Sequence, residues 1–155
     1  MSISLREADG AFTLGADQSA RGVSMPFEIK LVPEISVMEI RIWDKLTLAD
    51  VQSMSNEVSA LARTTGIGRV LVDCRDYQGG VSLGEIYFHT KGVTERAPDA
   101  RRPQAFIVPA SPRVAADVEF YAMAARNRGT PVEIFPTREA AMQWLRSAPI
   151  IRTEF

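Results

Sequence analysis

The segment from Arg69 to Phe88 limits the possible folds more than any other part of this chain. Arg69-Val70-Leu71-Val72-Asp73-Cys74 is an apolar run of strand length, and Arg75 to Val81 is turn-rich with Gly79 and Gly80 adjacent. Ser82-Leu83-Gly84-Glu85 then opens a helical pattern. It has the form of a capping box, in which the Ser82 hydroxyl and the Glu85 carboxylate each accept a backbone N–H of the other end. Strand, loop and helix in this order make the βα unit of a parallel sheet.

The rest of the chain can be laid beside that unit. Phe27 to Val32 and Ile35 to Ile42 alternate apolar and polar residues, with Pro33-Glu34 between them, and read as an antiparallel pair. A helix is predicted from Thr47 to about Arg63, its inner stripe being Leu48, Val51, Ser55, Val58 and Ala62, with Gly66 just past its end. After the Arg69–Cys74 strand a second helix runs from Ser82 to about Val93, its stripe being Leu83, Ile86, Tyr87 and Thr90. Gln104 to Val108 is a short strand apolar on both faces, hence central. Ser111-Pro112 starts a third helix that reaches about Arg128, Val132 to Phe135 is the last strand, and Thr137 to about Ser147 the last helix. The pattern is β-β-α-β-α-β-α-β-α, an α/β fold whose sheet is mostly parallel with an antiparallel N-terminal edge strand.

All four helices start on a hydroxyl, Thr47, Ser82, Ser111 and Thr137, and each is expected to cap its own first turn. Right-handed crossovers that add strands in sequence order would put the helices on one face. The other face would then carry Glu28, Lys30, Glu39, Arg41 and Glu133 as a half-wet surface.

At 155 residues the chain fits one ordinary domain with a proper core. Three segments are expected: an N-terminal extension over 1–25, the α/β domain over 26–147 and a tail over 148–155. In the extension, Ile3, Leu5, Phe12 and Leu14 flank Asp9-Gly10, which favours a tight hairpin, while Gly15 to Ser24 has linker composition. A weak hairpin and a flexible extension both fit, because two strands alone are marginal in water.

A formal charge of −1 leaves no electrostatic footprint for nucleic acid. The basic residues are 15 Arg and 3 Lys, scattered along the chain. One cysteine makes no internal disulfide. No apolar run approaches the ~20 residues of a membrane span, and residues 1–25 lack the form of a signal peptide. The expectation is a cytoplasmic protein.

Chemistry is sparse. His89 is the only histidine, and its position about 100° from Thr90 on the second helix makes it a surface residue. Cys74 ends a strand beside Arg75, where it is either a small buried hydrophobe or a thiol of lowered pKa. Gly79-Gly80 with Arg75 could cradle an anion, though two adjacent glycines are ordinary in a loop. No carboxylate pair, metal-ligand spacing or phosphate loop is found, so neither catalysis nor a cofactor or metal is expected.

The third helix is more informative. Val114, Val118, Tyr121, Ala122 and Ala125 form its core stripe, which leaves Ala116, Phe120 and Met123 on the far side. Phe88 on the second helix is likewise off its stripe. Apolar residues on outward faces suggest a contact surface.

Val70-Leu71-Val72-Asp73 followed by Val81-Ser82-Leu83-Gly84 resembles the strand-loop-helix of the STAS domains, the anti-sigma-factor antagonists of SpoIIAA type, whose loop carries Asp-Ser-Ser-Gly. Phe135-Pro136-Thr137 through Met142-Gln143-Trp144-Leu145 is similar to the closing strand and helix of the SpoIIAA-like (STAS/Sec14-like) bacterial proteins. The resemblance runs from about Phe27 to Arg146. It implies a non-enzymatic regulatory module that binds a protein partner or a second copy of itself as a homodimer. Its Sec14 side implies the alternative, a carrier of a small apolar ligand or lipid. In this chain Val81 and Leu83 replace the motif's Asp and second Ser, so a phosphoryl switch has only Ser82 left to act on. The candidate partner- or ligand-binding residues are Arg75, Asp76, Ser82, Phe88, Phe120 and Met123.

Overall fold

The computed structural model describes residues 3–8, 11–16, 25–96 and 101–149, and the side chains of 25–93 and 101–149. Among them the strands are β1 (Ile3–Ala8), β2 (Ala11–Ala16), β3 (Phe27–Val32), β4 (Val37–Asp44), β5 (Arg69–Tyr77), β6 (Gln104–Ile107) and β7 (Val132–Phe135). The helices are α1 (Leu48–Thr65), α2 (Leu83–Arg96), α3 (Pro112–Arg126) and α4 (Arg138–Ser147). The strands form one sheet in sequence order, β1 to β7. The first three pairings are antiparallel and the last three, β4–β5, β5–β6 and β6–β7, are parallel.

From β3 onward this is the expected α/β body, one antiparallel pair followed by parallel strands. The N-terminal segment supplies β1 and β2, which pair with each other, and β2 pairs with β3 through Phe12↔Leu31 and Leu14↔Ile29. The edge of the sheet therefore lies at β1 rather than at β3. Asp9-Gly10 and most of the linker-like stretch fall outside the described residues. Between β3 and β4, Pro33–Ile35 forms a 3₁₀ turn closed by Ser36 in the left-handed region at φ 55°, so β4 starts at Val37.

Period-2 alternation divides the sheet into two faces. Ile29, Met38, Ile40, Val70, Val72, Cys74 and Phe106 point to one side and join Val51, Met54, Val58, Ile86, Val114, Val118 and Ala122 from α1, α2 and α3. Val37, Leu71, Ala105 and Ile107 point to the other and meet Ala141, Met142 and Leu145 of α4. The helices are thus not all on one face. Three of them are crossovers between parallel strands, and connections of one hand keep these together. Helix α4 follows the last strand and joins it to nothing further along the sheet, so that rule does not bind it. It folds back over the face expected to be half wet.

Two polar clamps hold α4 there. Near its start, Arg138 donates to both carboxylate oxygens of Glu39, at 2.6 and 3.3 Å. At its end, Arg69 donates through Nε and Nη2 to the Ala148 carbonyl and through Nη1 to that of Ile35, at 3.0–3.1 Å. Ala148, the first residue of the expected tail, is itself buried.

Three of the four expected hydroxyl caps form. Thr47 makes a full capping box with Asp50, Ser82 does so with Glu85, and Thr137 accepts from the Ala140 N–H. Ser111 makes no side-chain cap. Pro112 at the first helical position has no N–H to satisfy and a φ already suited to a helix, so α3 starts without one.

Candidate functional site

The first expected site was the loop after Cys74, but β5 runs on to Tyr77 and takes in Arg75 and Asp76. Alternation sends Cys74 toward the helices, and Asp73 and Arg75 to the opposite face. Cys74 is fully buried. Burial, with the negative Asp73 next to it, raises its thiol pKa, so it remains a small buried hydrophobe. Arg75 is turned back onto Asp73, donating from its backbone N, Nε and Nη2 to that carboxylate at 2.7–3.1 Å. Burial alone would raise Asp73, but hydrogen bonds and charge from Arg75, with Arg41 behind it, outweigh this and hold its carboxyl below the usual range.

Asp76 accepts from Arg41 at 3.3 Å, and Arg41 also lies 5.3 Å from the Trp43 ring centroid. Arg75 and Asp76 are therefore both engaged by neighbours. The two glycines are structural as well. The Leu46 N–H donates to Gly79 O at 2.9 Å, and a Cβ on Gly80 would lie 2.5 Å from Leu46 O. Gly80 also sits at φ 109°, a conformation closed to ordinary side chains. This loop is shaped by its packing against the start of α1, and Ser82 is occupied with its cap.

The helix-covered face is different. Helix α1 has no fully buried apolar side chain; Val51, Met54, Val58, Leu61 and Ala62 are each only partly buried. Neither α1 nor α2 approaches the sheet backbone as closely as α4 does. Between them and the sheet lies a cavity of about 180 Å³. Its walls are mainly apolar, with Ile40 and Val72 from the sheet, Val58 from α1, Ile86 from α2 and Val118 from α3.

The polar residues in its wall include His89, Thr90, Arg102, Gln104, Asp117 and Thr130. Tyr121 donates to Gln104 Oε1 at 2.6 Å, and Thr90 to the Ile86 carbonyl at 2.8 Å. Burial pushes the phenols of Tyr77 and Tyr121 up to about 12. His89 is thus not a surface residue but half-buried and part of the cavity wall.

Among the described residues, the large apolar side chains that face outward are Leu83 at 46% exposure, Tyr87 at 42%, Phe88 at 70% and Met123 at 50%. The first three lie on α2 and the last on α3, which packs beside it. Phe88 meets Tyr87 edge-on at 5.6 Å between centroids. The Arg128 guanidinium lies 5.4 Å from the Tyr87 centroid and donates to its hydroxyl at 3.3 Å. Of the expected contact residues, Phe88 and Met123 are exposed here, whereas Phe120 is half-buried.

Leu83 and Tyr87 were expected to face inward. Instead α2 turns Ile86, His89, Thr90 and Val93 toward the cavity. Apolar residues at 83, 86, 87 and 88 surround most of this helix, so periodicity alone could not choose its inner face. Thr90 on the sequence stripe was the one hint that the wall is partly polar.

Among the described residues no His, Cys, Asp and Glu cluster could hold a metal ion, and no helix is long and apolar enough to cross a membrane. No family model matches the sequence, and no curated protein matches it. Among solved structures the chain is similar to an uncharacterised protein of the DUF3478 family, with a SpoIIAA-like fold, from Shewanella loihica. The two share 17% identity over 93% of this chain and 92% of that one, with a TM-score of 0.47.

Proposed function

We propose that this chain is a non-enzymatic regulatory or interaction module, and that it binds a protein partner or a second copy of itself through the α2–α3 face. The observation that carries the reading is the exposure of Phe88, with Leu83 and Tyr87 beside it on the same helix. A phenylalanine whose ring is mostly in water gains from any partner that covers it, by about 25 cal/mol per Å² of apolar surface removed. Aromatic anchors of this kind, with an arginine at the rim, are the usual centre of a binding surface.

The lipid-carrier alternative asks for a hollow of about 300 Å³ or more. The cavity beneath the helices, at about 180 Å³, is smaller, which favours the outer face.

A second copy is the first occupant to test. Light scattering on the full chain should give a dimer mass that falls to the monomer value in Phe88→Asp and in Met123→Asp, with unchanged far-ultraviolet circular dichroism. A mass that both substitutions leave unaltered would remove self-association through this face.

A further inference from the structure

We infer that the cavity between α1, α2 and the sheet is a binding site for a compact, neutral, mainly apolar molecule of one or two rings. This reading is independent of the outer α2–α3 face and would survive its failure.

Size and lining argue for it together. The volume, about 180 Å³, is well short of a drug-sized pocket, for which ~300 Å³ is the lower limit. It is somewhat larger than the ~150 Å³ apolar cavity that stays dry and takes up benzene. A long acyl chain does not fit these limits, whereas a benzene- or indole-sized body does. The walls offer an apolar guest dispersion contacts that the empty space denies them.

The sequence shows how the space is kept. Ser55 and Ser59, one turn apart on α1, both line the cavity where larger apolar residues would fill it. They alternate with Val51, Met54 and Val58, so the helix has the side chains to close the gap but places small ones at these two positions. No apolar residue of α1 is buried, and the only buried side chain described on α2 is Thr90, so these two helices constrain the cavity walls less than α3 does. His89 and Thr90 of α2 and Gln104 of β6 put polar groups in the wall, and Arg102 and Asp117 add one charge of each sign. An overall neutral guest can therefore carry one polar substituent, such as an indole N–H or a phenol hydroxyl.

The test is methyl-detected NMR of the full chain titrated with benzene and, separately, indole. Saturable shifts are expected at Met54, Val58, Val72, Ile86 and Val118, accompanied by a rise in melting temperature. Ser55→Leu combined with Ser59→Leu should fill the space and weaken binding at least about tenfold. If the double variant does not fold, Ser59→Leu alone should weaken binding in the same direction. Absence of saturable shifts in the parent chain would overturn the assignment. So would shifts scattered away from these methyls, or undiminished affinity in a folded filled variant.

Discussion

The two faces of the sheet solve the same packing problem in opposite ways. On the α4 face, Ala141 and Leu145 are fully buried against Leu71, Ala105 and Ile107, and charged clamps hold both ends of the helix. On the other face three helices cover the sheet, yet a cavity of about 180 Å³ remains and α1 buries no apolar side chain completely. The short α4, which is not a crossover, packs tightly, and so does the crossover α3 through Val114, Val118 and Ala122, while α1 and α2 do not. Covering a sheet and filling the space beneath the cover are separate demands.

The comparison breaks if the two faces respond alike to truncation. Leu145→Ala should cost about 2–5 kcal/mol in denaturant unfolding, because its surroundings are closed on all sides. Val58→Ala, beside the existing cavity, should cost under about 1.5 kcal/mol. Equal losses would mean that the cavity face is as tightly packed as the α4 face.

The next effect down concerns Asp73, on the same side of the sheet as α4. Its folded pKa is depressed, so its pairing stabilises the fold above the unfolded carboxylate value near ~3.9 and fades as pH falls through the lower folded value. Asp73→Asn should therefore cost about 1.5–3 kcal/mol at neutral pH. The gap to the parent chain should narrow as pH falls below about 4, and a gap constant with pH would show that the Arg75 pairing adds nothing.

The smallest effect separates a used cap from an unused one. Thr47→Ala should cost about 1 kcal/mol, since both halves of its capping box are lost or weakened. Ser111→Ala, with no cap to lose, should fall within about 0.5 kcal/mol of the parent. A comparable loss at both positions would place a working cap at Ser111.

Much of this architecture is legible in the chain. The Arg69–Cys74 run, the glycine loop and the Ser82–Glu85 box mark the central unit, because each states a local preference that the fold then satisfies. The site is less legible. Phe88 and Met123 stand out as apolar residues off their stripes, and both are exposed. Tyr87, Leu83 and His89 do not, because α2 has apolar residues almost all round and its rotation is chosen by neighbours. Arg75 and Asp76 are visible as charges, but only the alternation of β5 with β4 beside it shows that each already has a partner.

By itself the sequence determined the kinds of elements and their order, since periodicity, turn residues and capping boxes act over a few residues and need nothing else in place. Only the tertiary structure decided that α4 crosses to the second face, which way α2 turns, and that a space remains under α1. Those outcomes depend on how side chains far apart in the chain compete for the same volume, and no local pattern records that competition.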